Sequence, residues 1–186
     1  MSLKILSWKS CNEVFPQEVH RATIHDVEDF LALHRIAMLG VSRNPKDFSR
    51  LLFREMCDRG YDMIPINLGA DEIDERECFH CLQAVKEPVE GVLVMTPFHA
   101  TLQVVQDCAA AGVRNVWIYR AGGKGAVSPE AIAFCKENGM RVVDGHCPFM
   151  FFPRPNLCTE STACCRRSRD VIRRPPERAE ARGCQG

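Results

Sequence analysis

The stretch "RIAMLGVSRNPKDFSRLLFREM", residues 35–56, decides how the rest of the chain is read. An apolar run from Ile36 reaches Gly40, and after a short polar turn apolar residues recur at Phe48, Leu51, Leu52 and Met56. The first pattern is a strand apolar on both faces; the second is a helix with one apolar stripe. Asn44-Pro45 pairs an N-cap residue with proline at the first helical position, which predicts the helix start there. Strand, glycine turn and helix in this order open a βαβ unit. A dinucleotide fingerprint would place G-x-G-x-x-G across the turn, and only Gly40 is present, followed by Ser42.

The same punctuation recurs downstream. Thr96-Pro97 and Ser128-Pro129 predict two further helix starts, and Gly60, Gly112 and Gly139 stand where left-handed helix ends are expected. Five short apolar runs alternate with these helices: Ile36–Val41, Met63–Ile66, Gly91–Met95, Val116–Tyr119 and Met140–Val143. The expected fold is therefore α/β: a Rossmann-like, doubly wound parallel sheet of about five strands, with helices on both faces and right-handed crossovers. Pro65 predicts that the second strand ends early or lies near an edge. A helix is expected over Glu75 to Val85, with room for a very short strand near Cys78. Thr23 with Asp26 resembles a capping box for a helix from Ile24 to Leu33.

Composition bounds the rest. The 186 residues suit one domain with some excess, 46% hydrophobic and 26% charged, as in an ordinary globular protein. Formal net charge is zero, yet residues 154–186 hold eight arginines against four acids, which leaves the body acidic. An acidic body argues against nucleic acid as a partner. No apolar run approaches the ~18 residues of a membrane helix. The N-terminus lacks the long apolar stretch of a signal peptide, so the expected location is cytoplasmic, with the eleven cysteines reduced. Residues 1–22 read as an extension, 23–153 as the domain and 154–186 as a basic tail. The tail is too poor in large aliphatics to fold alone and is expected to be disordered. Its crowding of Arg, Cys, Pro and Ala also suits a GC-rich end read out of frame.

In an open parallel sheet, ligands sit beyond the carboxyl ends of the strands, where the strand order reverses. The turn at Gly40 belongs there. Gly40 lets backbone approach a ligand, the free amides of the following helix attract phosphate, and Arg43 and Lys46 add positive charge. A nicotinamide dinucleotide fits poorly, because Asn67 stands where a carboxylate would grip the ribose. Asp62 lies at the opposite end of its strand. Cys78-Phe-His-Cys81 has the spacing of a metal knuckle or redox pair, but a second clear pair is missing unless His146-Cys147 folds over to it. Buried helix cysteines are the default reading. Cys147 follows the last strand at the carboxyl rim, where, if accessible and partly ionised beside a protonated His146, it would form a mixed disulfide with a thiol ligand under oxidation. Packing below the rim is the plainer alternative.

Taken in order, "IAMLGVSRNP", "GYDMIPIN", "VLVMTP", "NVWIY" and "GMRVVDGHCP" resemble the successive motifs of the CoA-binding domain family. The resemblance runs from about residue 24 to 153. The family includes small stand-alone bacterial proteins and is similar to the N-terminal domain of the succinyl-CoA synthetase alpha subunit and of ADP-forming acyl-CoA synthetases. It implies a Rossmann-like domain that cradles coenzyme A or an acyl-CoA. Phosphates would be received at Gly40, Val41 and Ser42, with Arg43, Asn44 and Lys46 close by. The strand ends Ile66-Asn67 and Met95-Thr96-Pro97 would line the cleft, as would the loop holding Tyr119, Arg120 and Gly122. Cys147 is added from its place on the rim. The synthetase domain that carries a phosphorylated histidine has no counterpart here, so the expectation is binding without catalysis. The rival is an NAD(P)-dependent oxidoreductase or redox sensor on the same fold. No metal is expected. The protein partner stays open, a homodimer being one candidate.

Overall fold

The computed structural model describes residues 22–120 and 125–152. The chain runs α1 (Ile24–Leu31), β1 (Arg35–Leu39), α2 (Phe48–Asp58), β2 (Asp62–Ile66), β3 (Glu72–Ile73), β4 (Arg76–Glu77), β5 (Gly91–Val94), α3 (Phe98–Ala110), β6 (Asn115–Ile118), α4 (Pro129–Glu137) and β7 (Arg141–Asp144). Five strands form one parallel sheet in the order β2-β1-β5-β6-β7, the Rossmann-like doubly wound arrangement. From β1 the chain moves to one side for β2 and to the other for β5, so the switch point lies between β1 and β5.

Alternating side chains along each strand divide the interior into two layers. Ile36, Met38, Leu93, Trp117 and Val143 pack under α1 and α2, against Phe30, Leu52, Phe53 and Met56. Ala37, Leu39, Val92, Val94, Val116 and Ile118 pack under α3 and α4, against Val105, Cys108, Ala131 and Cys135. Strands buried on both faces explain why their sequences read as continuous apolar runs.

The helix ends follow local rules, with two corrections. The Thr23–Asp26 capping box is formed: Thr23 Oγ1 accepts the Asp26 amide at 3.2 Å, and Asp26 accepts the Thr23 amide at 2.8 Å. Ser128 caps α4 with Pro129 in its first turn, as its sequence predicts. By contrast, α2 starts at Phe48 under an Asp47 cap, and not at Pro45. Asn44 closes a separate turn, its Oδ1 accepting the Lys46 amide at 3.0 Å. At α3, Pro97 itself occupies the cap position and no side chain caps the helix.

The expected helix over Glu75–Val85 does not form. Asp74 and Glu75 both take left-handed backbone, φ +49° and +62°, and turn the chain into the antiparallel β3–β4 hairpin. Such a turn usually carries glycine or asparagine, so an acid-rich segment hides it. A single bridge at Phe79 then pairs with β2, and only Leu82–Ala84 is helical, as a short 3-10 turn. β2 is the sheet's edge strand, as Pro65 suggests, and it runs on to Ile66. The Pro65 carbonyl points outward and accepts the Phe79 amide at 3.1 Å. The missing Pro65 N–H would point the same way, so the ladder to β1 loses no bond.

Candidate functional site

Gly40 follows β1 and Thr96 follows β5, so the turns flanking the switch point stand side by side. Gly40 has φ +89°, and a Cβ there would lie 3.0 Å from the Met95 carbonyl carbon and the Thr96 amide nitrogen. The bare backbone is thus demanded by the neighbouring strand end. A cleft of about 380 Å³ opens above these turns. Gly40, Ser42, Asp47, Phe48 and Ser49 form one wall; Met95, Thr96 and Pro97 form the floor beyond β5. Tyr119, Gly125 and Ala126 close the far side.

The first turn is internally braced. The Ser42 amide donates to Ser49 Oγ at 2.9 Å, and Ser49 Oγ donates in turn to Asp47 Oδ1 at 2.8 Å. Asp47 also accepts the Ser49 amide at 2.9 Å, so a carboxylate already sits at the positive end of α2. At α3 the arrangement is opposite. Its first turn carries neither a capping side chain nor an acid, and Thr96 Oγ1 beside it is buried with no hydrogen-bond partner. Across the cleft, Ala126 N–H bonds the Tyr119 carbonyl at 3.0 Å, and Thr101 Oγ1 bonds the Ala126 carbonyl at 2.6 Å, tying the far wall to α3. Phe48 meets Tyr119 at 5.4 Å and Phe149 at 5.5 Å between ring centres, which makes that side aromatic. Burial pushes the Tyr119 phenol up to about 12, the neighbouring Cys147 thiol adding to the shift.

Six of the expected site residues line this cleft: Gly40, Ser42, Met95, Thr96, Pro97 and Tyr119, while Ile66 is buried in the core. Val41 is fully buried in the core, and only its carbonyl serves the turn, accepting Asn67 Nδ2 at 2.7 Å. Asn67 spends its other amide end on the Gly69 amide at 2.8 Å, so it shapes the rim from behind the lining. Arg43, Asn44 and Lys46 are exposed on the turn outside the lining, and exposed Arg120 donates its amide to the His146 carbonyl at 3.3 Å. Gly122, the first 21 residues and the basic tail lie outside the described residues.

Of the two readings of Cys147, the structure shows the packed one. It is 7% exposed, and burial pushes its thiol up, away from the ionised form that disulfide exchange needs. It packs below the rim ahead of a short Pro148–Met150 helical turn, with Tyr119 as its hydrogen-bonding neighbour. Cys78 is buried in the core and Cys81 is exposed. Among the described residues, no three His, Cys, Asp or Glu side chains gather to hold a metal ion. Asp62 lies at the start of β2, paired with Arg35, at the opposite end of the sheet from the cleft. The residues that sequence reasoning missed are Asp47, Phe48, Ser49, Gly125 and Ala126. Asp47, directly before the apolar-periodic Phe48, was a cap signal that Asn44-Pro45 outbid.

Residues 34–153 match the model of the CoA binding domain, and the chain belongs to that family. It is 23% identical over 130 residues to the alpha subunit of an ADP-forming acetate–CoA ligase II of Pyrococcus furiosus, a match covering 66% of this chain and 28% of that subunit. It therefore spans little more than a quarter of the ligase subunit. It is 27% identical over 113 residues to the uncharacterized protein YneT of Bacillus subtilis, covering 61% of this chain and 81% of that protein. Among solved structures, a hypothetical protein from Pyrococcus horikoshii superposes with a TM-score of 0.65 at 22% identity, covering 73% of this chain and 95% of that one. No helix among the described residues is long and apolar enough to cross a membrane.

Proposed function

We propose that this protein binds coenzyme A or an acyl-CoA in the cleft between the β1 and β5 turns, as a binding protein with no reaction of its own. The observation that carries the reading is the uncapped start of α3 beside the buried, unpartnered Thr96 hydroxyl, at the switch point of a CoA binding domain. Free amides at a helix start, on a helix of 13 residues, favour an anion. The diphosphate goes to Thr96, Pro97 and the first amides of α3, facing Gly40 and Ser42. It does not go to the start of α2, where Asp47 would repel it. Arg43 and Lys46, exposed on the adjoining turn, supply attraction from outside the cleft. The aromatic side at Phe48 and Tyr119 suits the less polar part of the ligand.

The test is thermal shift with CoA, acetyl-CoA, NAD and NADP, followed by calorimetric titration of wild type and Thr96→Val. Ligand at a hundred times its dissociation constant adds about 2.7 kcal/mol of stability. CoA compounds are expected to stabilise the protein, and Thr96→Val to weaken them by about tenfold through one lost charge-assisted hydrogen bond. Stabilisation by NAD or NADP with none by CoA would replace this reading with the oxidoreductase one.

A further inference from the structure

The β3–β4 hairpin contributes nothing to the cleft lining, yet it grips the turn that does. Arg50, on the buried side of α2, donates through Nε and Nη2 to the two carboxylate oxygens of Asp74 at 3.0 and 2.5 Å. Its remaining nitrogen, Nη1, donates to the Ser42 carbonyl at 3.2 Å. Arg54, one helical turn on, repeats the arrangement. Its Nε and Nη2 reach Asp74 at 3.1 and 3.0 Å, and its Nη1 reaches the Pro45 carbonyl at 3.1 Å. One carboxylate thus receives four N–H bonds, and each guanidinium has one nitrogen left for one end of the Ser42–Pro45 turn. Hydrogen bonds from Arg50, joined by those from Arg54, hold the Asp74 carboxyl below the usual carboxylate range.

Asp74 makes these bonds from a backbone position that side chains rarely adopt, φ +49°. Glycine would relax that turn, and its place is taken by the one side chain that both arginines use. We propose that Asp74 is a positioning residue: through Arg50 and Arg54 it fixes the Ser42–Lys46 turn in the shape that faces the ligand. The effect on ligand rests on the CoA reading above; the effect on the turn does not.

Asp74→Gly separates the two roles the residue could have, because it eases the backbone and deletes the carboxylate. Arg50 is 7% exposed and loses its carboxylate partner in this variant, so Arg54→Gln, at a more exposed side chain, serves as the second variant. Amide hydrogen exchange is read in the ligand-free protein at Ser42, Asn44 and Lys46, whose amides donate to Ser49 Oγ at the start of α2, Ser42 Oγ and Asn44 Oδ1 respectively. Exchange there is expected to rise at least tenfold in Asp74→Gly, with β1 and β5 unchanged, and to rise in Arg54→Gln chiefly at Lys46. The CoA dissociation constant is expected to rise about tenfold in Asp74→Gly. Removing a negative charge would by itself tighten a polyanion, so the direction distinguishes positioning from simple electrostatics. Unchanged exchange in both variants overturns the clamp. Faster exchange with unchanged or tighter CoA binding overturns its part in ligand recognition. Wild type that binds no CoA refutes the CoA reading, and exchange alone then decides whether Asp74 holds the turn.

Discussion

Replacing Gly40 by alanine tests whether the β1 turn is fixed by its neighbour or by its ligand. Two costs add. An L-residue in the left-handed region costs about 1–2 kcal/mol, and Gly40 stands at φ +89°. A methyl group 3.0 Å from the Met95 carbonyl carbon and the Thr96 amide nitrogen must then push backbone aside, since no flexible side-chain end is there to yield. Overpacking of this kind costs about 1–3 kcal/mol. The expected loss is therefore about 2–5 kcal/mol, a large share of the stability of a domain this size. Gly60 supplies the control. It has φ +92°, and a Cβ there would meet nothing within 4 Å, so Gly60→Ala should show the conformational cost alone, about 1–2 kcal/mol. Urea unfolding of both variants, without ligand and with unchanged denaturant slope, gives the comparison. Equal losses at the two positions would refute the close approach of the β1 and β5 ends, and with it the floor of the cleft. Gly40→Val, larger still, should fail to fold stably, so a folded variant lacking only ligand affinity would equally count against this reasoning.

Two further expectations concern titration and thiol chemistry. The chain has two tyrosines; burial pushes both Tyr61 and Tyr119 up to about 12. Folded protein at pH 11 should show little tyrosinate absorbance, whereas urea-unfolded protein ionises near 10. Because the folded values are raised, this contribution to stability is whole below pH 10 and is lost as pH rises toward 12. A phenolic titration centred at 10 in folded protein would show that the two phenols are not buried as described. Among the cysteines of the described residues, a disulfide thiol reagent followed by peptide mapping should label exposed Cys81 first and reach Cys147 only on unfolding. Rapid labelling of Cys147 would restore it to the rim and to a role with a thiol ligand.

Much of this architecture is local information. Apolar runs buried on both faces, helix spacing between them, and glycines at Gly60, Gly112 and Gly139 specify a doubly wound sheet because each element's periodicity depends only on its own residues. Ser128 and Thr23 cap as read because a cap bonds within three residues of itself. The ordered motifs also pointed to the CoA binding domain, and Gly40, Ser42, Thr96, Pro97 and Tyr119 meet in one cleft because all follow the carboxyl ends of neighbouring parallel strands. What tertiary structure alone decided lies between elements. The hairpin at Asp74 and Glu75 runs into the segment where local sequence suggests helix, and the four hydrogen bonds to the Asp74 carboxylate come from arginines on another element, 20 and 24 residues away. Cys147 is adjacent to a rim in sequence but buried in space, beside Tyr119 and ahead of the Pro148–Met150 turn. Asp47 and Asn67 look alike as polar turn residues. Asp47 caps α2 through a bond two residues along the chain, whereas Asn67 pins the Val41 carbonyl 26 residues away, a pairing that no local spacing encodes.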